Sequence, residues 1–296
     1  MMSLVNPFAS ALSGWPVHDN TALDTLFYDV GILKDTERAK LAAQSKVEGI
    51  ILEVGPSHTP SLRIWPGIQA CEDLHDRYAA ISVAGVGSSA VGAAALARNV
   101  ADALGGPVLA VVSGLGMADL GSEALGGFFL FGGLNAIRHA GQSLEPWHWL
   151  TPPGFKPRDP GHTFRMARDS ADVKALRELL AMRVKVPFLV GHSKGNLVLS
   201  EALYALRETD RAVFDHVAHD TRVVTFSARI AMPPELVSVT DVMGELDTFG
   251  ALNSRPDILV DVSIPNAWHH TNTRLPMHLG VTRVLQKIAK EPDLAR

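Results

Sequence analysis

One serine in the chain is set in a pattern suited to nucleophilic chemistry: Gly191-His192-Ser193-Lys194-Gly195, the only GxSxG in its 296 residues. A serine hydroxyl is a weak nucleophile at its ordinary pKa, so it needs a base beside it, an exposed position, and donors for the oxyanion that its attack creates. The flanking sequence speaks to position. The apolar run VPFLV leads into the motif and the helical run NLVLSEALYALRE leaves it, which predicts that Ser193 stands at a strand-to-helix turn. Such a turn lifts the hydroxyl above the carboxyl end of a sheet, and glycines two places before and after it let neighbouring backbone pass where a Cβ would clash. The helix N-terminus beyond it offers backbone N–H groups and the positive end of a dipole. This arrangement suits acyl transfer. The plainer alternative is a serine that only caps the helix beginning near Lys194.

Carried outward from the motif, the sequence resembles the α/β-hydrolase fold family over roughly residues 79 to 290. ISVAGVGSS is similar to the family's first strand and glycine loop, VVSGLGMADL to the next strand with its G-x-G loop, and LVGHSKG to the nucleophile elbow. The resemblance implies a hydrolytic serine followed by an acid and then a histidine. Glu245-Leu246-Asp247-Thr248-Phe249-Gly250, after VSVTDVMG, looks like the family's acid loop and makes Asp247 the acid, with Asp241 and Glu245 as alternatives. IPNAWH resembles the family's I-P-x-A-G-H pattern and makes His269 the base; Trp268 stands where glycine is common, and His270 is the alternate base. His192, inside the elbow, is expected to support the turn, and His278 to belong to the final helix. The implied oxyanion donors are the backbone N–H groups of Lys194 and of Val86 or Gly87, with Val86 ranked first. The resemblance thus implies a serine hydrolase of carboxylic esters that works through an acyl-enzyme without a cofactor. Thioesterase, amidase and acyltransferase chemistry on the same residues stays open, as does a non-catalytic interaction protein on the same scaffold.

Two other chemistries compete for parts of the sequence. Gly85-Val86-Gly87-Ser88-Ser89-Ala90 also satisfies the dinucleotide fingerprint G-x-G-x-x-A after a strand. The next strand ends Val111-Val112-Ser113-Gly114, however, without the acid that would hold a ribose. Asp215, His216, His219 and Asp220 have metal-like spacing, but they fall in what reads as a polar link, with no third ligand evident. No metal is expected.

These residues must be positioned by a fold, and composition bounds it. At 47% hydrophobic and 20% charged the chain is ordinary globular protein. With 31 acidic against 27 basic residues and a net charge of -4, it lacks the basic footprint of a nucleic-acid binder, which points to a small-molecule partner; the resemblance implies that this molecule is an acyl ester. The lone Cys71 closes no intramolecular bridge, in keeping with a reducing compartment. The N-terminus lacks the basic and apolar regions of a secretory signal, so the chain reads as mature and cytoplasmic. Leu125 to Ile137, the most apolar stretch, is far shorter than the roughly 20 residues of a transmembrane helix.

Strand and helix patterns alternate from Ala79 onward, which predicts an α/β fold with a mostly parallel sheet flanked by helices. Residues 1–78 are expected as an N-terminal extension packing on the core, with GIILEV as an edge strand, and 79–296 as the hydrolase-like domain. Within that domain 115–163 reads as a cap or lid insertion. It is rich in Phe128, Phe129, Leu130, Phe131, Trp147 and Trp149; Phe129 and Trp147 are the candidates for an apolar acyl pocket, the alternative being that these side chains pack a cap against the main core. Between TRVVTFSA and LVSVTDV only RIAMPPE intervenes, short for a parallel crossover, which predicts an antiparallel pair or one bent strand.

Overall fold

The computed structural model describes residues 20–44, 49–71, 74, 77–85, 88–113, 170–182 and 184–291. The expected insertion 115–163, with Phe129 and Trp147, lies outside the described residues, as do Val86 and Gly87. The strands are β1 (Ile51–Val54), β2 (Leu62–Trp65), β3 (Ala80–Val83), β4 (Val108–Val111), β5 (Phe188–His192), β6 (Arg222–Phe226), β7 (Val239–Gly244) and β8 (Val262–Ile264). They form one sheet in the order β2-β1-β4-β3-β5-β6-β7-β8. From β4 to β8 all neighbours are parallel, while β1 pairs antiparallel with both β4 and β2. The protein is therefore α/β, with a mostly parallel sheet flanked by helices. GIILEV forms β1 as expected, but β1 lies inside the sheet and the unforeseen β2 takes the edge.

The helices are α1 (Asn20–Phe27), α2 (Asp35–Ala42), α3 (Ala90–Leu104), α4 (Ala171–Ala181), α5 (Lys194–Thr209), α6 (Arg211–Asp220), α7 (Thr248–Leu252) and α8 (Val281–Lys290). Strand residues alternate between two cores, as the period of two requires. Leu52, Ala110, Val190 and Val224 pack with α3 and α8, whereas Ile51, Leu109, Leu189 and Val223 pack with α4, α5 and α6. Strands covered on both faces have no polar side to show, which is why they read as unbroken apolar runs. Residues 211–220, expected as a polar link, are helix α6. Asp210 caps it by accepting the Val213 N–H at 3.1 Å, and Val213, Phe214, Val217 and Ala218 are its buried stripe.

The β6–β7 connection overturns the expectation of an antiparallel pair. The two strands are parallel, with Val223 opposite Val239 and Phe226 opposite Val242, because β7 starts at Val239 and residues 227–238 are all available for the crossing. No helix forms there. Side chains of α5 serve the crossing backbone instead: Asn196 Nδ2 donates to the carbonyls of Phe226 and Ala228, Ser200 Oγ to that of Ala231, and Tyr204 Oη to that of Met232.

The chain leaves β3 for β4 on one side and later returns to place β5 on the other. Loops after β3 and β5 thus diverge from adjacent strands, and in open α/β sheets ligands bind in the crevice at such a point. On the α3 face, Arg98 is almost completely buried and its guanidinium meets Glu37 of α2 at 2.6 Å. Removing one partner of a buried pair strands the other without water or counter-charge. Glu37→Ala should therefore lower the free energy of unfolding by about 3–5 kcal/mol, measured by urea denaturation, far more than loss of an exposed pair.

Candidate active site

Ser193 connects β5 to α5 with φ 54 and ψ -122, a conformation that L-residues avoid. The surroundings hold it there. Its N–H donates to the Phe226 carbonyl at 2.9 Å, continuing the β5–β6 ladder past the strand end, and its carbonyl accepts the Asn196 N–H at 3.1 Å. The glycines on either side are required by close approach. A Cβ on Gly195 would sit 2.2 Å from the Val83 carbonyl oxygen, and one on Gly191 would sit 2.2 Å from Asn196 Oδ1. Gly85 closes the same crowd, since its Cβ would come within 2.9 Å of that of Ser193. The turn is wedged between β3 and the loop after it, and Lys194 is the first residue of α5 beside the serine.

Asp247 follows β7 and caps α7, accepting the Gly250 N–H at 2.6 Å. Its carboxylate oxygens lie 2.9 and 3.1 Å from His269 Nδ1, and His269 Nε2 lies 3.1 Å from Ser193 Oγ. Facing a carboxylate, Nδ1 bears the proton, so Nε2 presents its lone pair to the serine hydroxyl. Burial by itself pushes the Asp247 carboxyl up. The His269 hydrogen bond and charge outweigh it, together with hydrogen bonds from Gly250 and Ser227, and leave the group below the ordinary carboxylate value. Phe249 and Phe27 present edges to the His269 ring, at 4.7 and 5.8 Å between centroids. The series can draw a proton from a serine hydroxyl and stabilise the resulting imidazolium.

Ser193, His269 and Asp247 are therefore brought together, and the alternatives lie elsewhere. Asp241 is inside β7, where its carboxylate accepts from Thr225 Oγ1, and Glu245 is exposed. His270 turns to the Pro276 carbonyl, 3.0 Å from its Nε2. His278 precedes α8 rather than belonging to it, with Nδ1 3.1 Å from the Leu275 carbonyl. His192 is buried behind the turn and contacts Tyr28 and the His269 carbonyl. Phe27 and Tyr28 come from the segment around α1, and no motif in TALDTLFYDV marks them for this site.

The rival motifs acquire definite surroundings. The N-terminus of α3, where a pyrophosphate would sit, holds the carboxylate of Asp24 instead. It accepts the Ser89 N–H at 3.1 Å and the Ser89 hydroxyl, and a Cβ on Gly92 would fall 2.1 Å from its Oδ1. Ser113, just past the end of β4, donates to the Ala84 carbonyl. His216 and His219 are exposed on α6 and both reach Asp220. Among the described residues no group of three or more His, Cys, Asp or Glu is arranged to hold a metal ion, and no helix is long and apolar enough to cross a membrane.

Comparison with known proteins gives no relative on which to lean: no family model matches the chain, and neither does any curated protein or solved structure.

Burial raises the Asp24 carboxyl to about 6, against the lowering effect of its Ser89 and Gly92 hydrogen bonds. Its folded form keeps the proton to a higher pH than the unfolded chain does. Stability contributed by that protonated form is therefore present at low pH and lost as pH rises from about 4 to about 6, by up to about 3 kcal/mol. Asp24→Asn keeps an acceptor for Ser89 and should flatten this slope in unfolding free energies measured between about pH 4 and 7.

Proposed function

We propose that the protein is a serine hydrolase of carboxylic esters with an α/β-hydrolase-like site. The observation that carries this reading is the continuous series Asp247 carboxylate, His269 imidazole and Ser193 hydroxyl, with each link at 2.9 to 3.1 Å. Ser193 Oγ attacks the ester carbonyl carbon while His269 Nε2 takes the hydroxyl proton, and the carbonyl oxygen becomes an oxyanion. The backbone N–H of Lys194, at the start of α5, is the first donor to that oxyanion, and Val86 after β3 is the second. Collapse breaks the bond to the alcohol oxygen, which receives the proton from His269 and leaves an acyl-Ser193. Water then repeats the sequence, giving its proton to His269, releasing the carboxylic acid and restoring the serine.

The ring edges of Phe27 and Phe249 and the flank of Trp268 around His269 support an apolar ester over a highly charged one. The site uses no cofactor in this reading.

Labelling with a fluorophosphonate and subsequent peptide mapping should place the adduct on Ser193, and an adduct elsewhere would overturn the assignment. Ser193→Ala should abolish both labelling and p-nitrophenyl acetate hydrolysis. Asp247→Asn, which favours the wrong His269 tautomer, should lower kcat on the order of ten-thousand-fold while the fold is kept.

A further inference from the structure

A second hydrogen-bonded series runs behind the first. The Gly85 N–H donates to Tyr28 Oη at 2.6 Å, Tyr28 Oη lies 3.0 Å from His192 Nδ1, and His192 Nε2 lies 2.9 Å from the His269 carbonyl oxygen. Tyr28 and His192 are both buried, at 2% and 1% exposure, so water cannot substitute for a missing partner. The direction of every proton is fixed by what each end can do. A carbonyl only accepts, so His192 Nε2 carries the ring proton; Nδ1 is then an acceptor and takes the Tyr28 hydroxyl proton. The Tyr28 oxygen keeps lone pairs for Gly85. Burial, with His269 nearby, holds the His192 imidazolium pKa down at about 3, so the ring stays neutral and its tautomer does not change near neutrality. The Tyr28 ring also stands edge-on to His192, which packs against His269.

We propose that Tyr28 is a positioning residue, tying the Gly85 backbone to the backbone of His269 through a single tautomer of His192. The two ends matter for different reasons. Gly85 abuts Ser193, whereas the His269 carbonyl belongs to the residue whose side chain meets Ser193 Oγ. A shift of about an ångström at either end misaligns donors or base, and such misplacement can reduce turnover about a hundredfold. The residue acts through others and touches no reacting atom.

The test has two arms, and only the kinetic arm rests on the ester-hydrolase reading. In the first, imidazole ¹⁵N and ¹³C chemical shifts of His192 are recorded on the full chain without substrate. The proposal expects one Nε2-protonated tautomer in the wild type, kept in Tyr28→Phe because the His269 carbonyl still only accepts, with the Nδ1 resonance shifted by loss of the hydroxyl donor; an Nδ1-protonated wild-type ring, or an Nδ1 shift that the variant leaves unchanged, overturns it. In the second, p-nitrophenyl acetate kinetics and thermal midpoints are compared for wild type, Tyr28→Phe, His192→Leu, their double variant and His192→Gln. Tyr28→Phe should lose about tenfold to a hundredfold in kcat with KM within about twofold. The double variant should lose no more than His192→Leu alone. His192→Gln, which keeps one acceptor and one donor, should recover most of the loss seen in His192→Leu. A Tyr28→Phe kcat within about twofold of wild type, or losses that multiply in the double variant, overturns the relay. Absence of ester hydrolysis in the wild type would count against the proposed function and leave the tautomer arm to decide on Tyr28.

Discussion

A serine held in the left-handed region between a strand and a helix persists only if its neighbours over-determine it, and much of this structure is that over-determination. The Ser193 N–H is fastened to β6, its carbonyl to Asn196, and its Cβ is boxed by Gly85. Asn196 then reaches the carbonyls of Phe226 and Ala228 and so fixes the start of the β6–β7 crossing. That crossing delivers β7, and β7 delivers Asp247. A strained turn and a carboxylate far along the chain are thus mechanically one unit, joined through a single buried amide.

The position of this unit within the sheet is dictated by the order of the strands. Because β3 and β5 are neighbours whose connections depart to opposite sides, backbone from two directions meets at their carboxyl ends. The crowding at Gly85, Gly191 and Gly195 is the local expression of that topology. Larger residues there would require β3 and β5 to move apart, and the parallel register from Ile81–Leu189 to Val83–Gly191 would go with them.

Legibility from sequence divides along a physical line. Features set by local pattern can be read: α3, α5 and the buried strands announce themselves through composition and period, and Ser193 through its glycines and its strand-to-helix setting. His269 and Asp247 are reachable through resemblance and chain order. Features set by long-range contact cannot be read this way. Tyr28 and Asp24 look like ordinary members of a short amphipathic segment, and nothing local says that one will meet Gly85 and the other will close the N-terminus of α3. The strand β2 is four residues long and half covered, too short to show a period. Helix α6 is a different case, since its stripe at Val213, Phe214, Val217 and Ala218 is present in the sequence and is masked by its histidines and acids. The β6–β7 link misleads because the apolar pattern of LVSVTDV extends back to Leu236, whereas strand pairing begins only at Val239.

The residues around α1 meet some of their partners early, at Gly85 and Ser89, and others very late in the chain. Thr271 donates through both N–H and hydroxyl to the Phe27 carbonyl, 244 positions away, and Asn272 donates to Thr25, 247 positions away. Synthesis is vectorial, so this N-terminal piece emerges from the ribosome long before residues 271 and 272 exist to receive it. Closing so long a loop is entropically expensive and slow relative to local contacts. Asp24 and Tyr28 can find Ser89 and Gly85 early in synthesis, whereas the bonds from Thr271 and Asn272, and with them the alignment of His269, come among the last that a newborn molecule acquires.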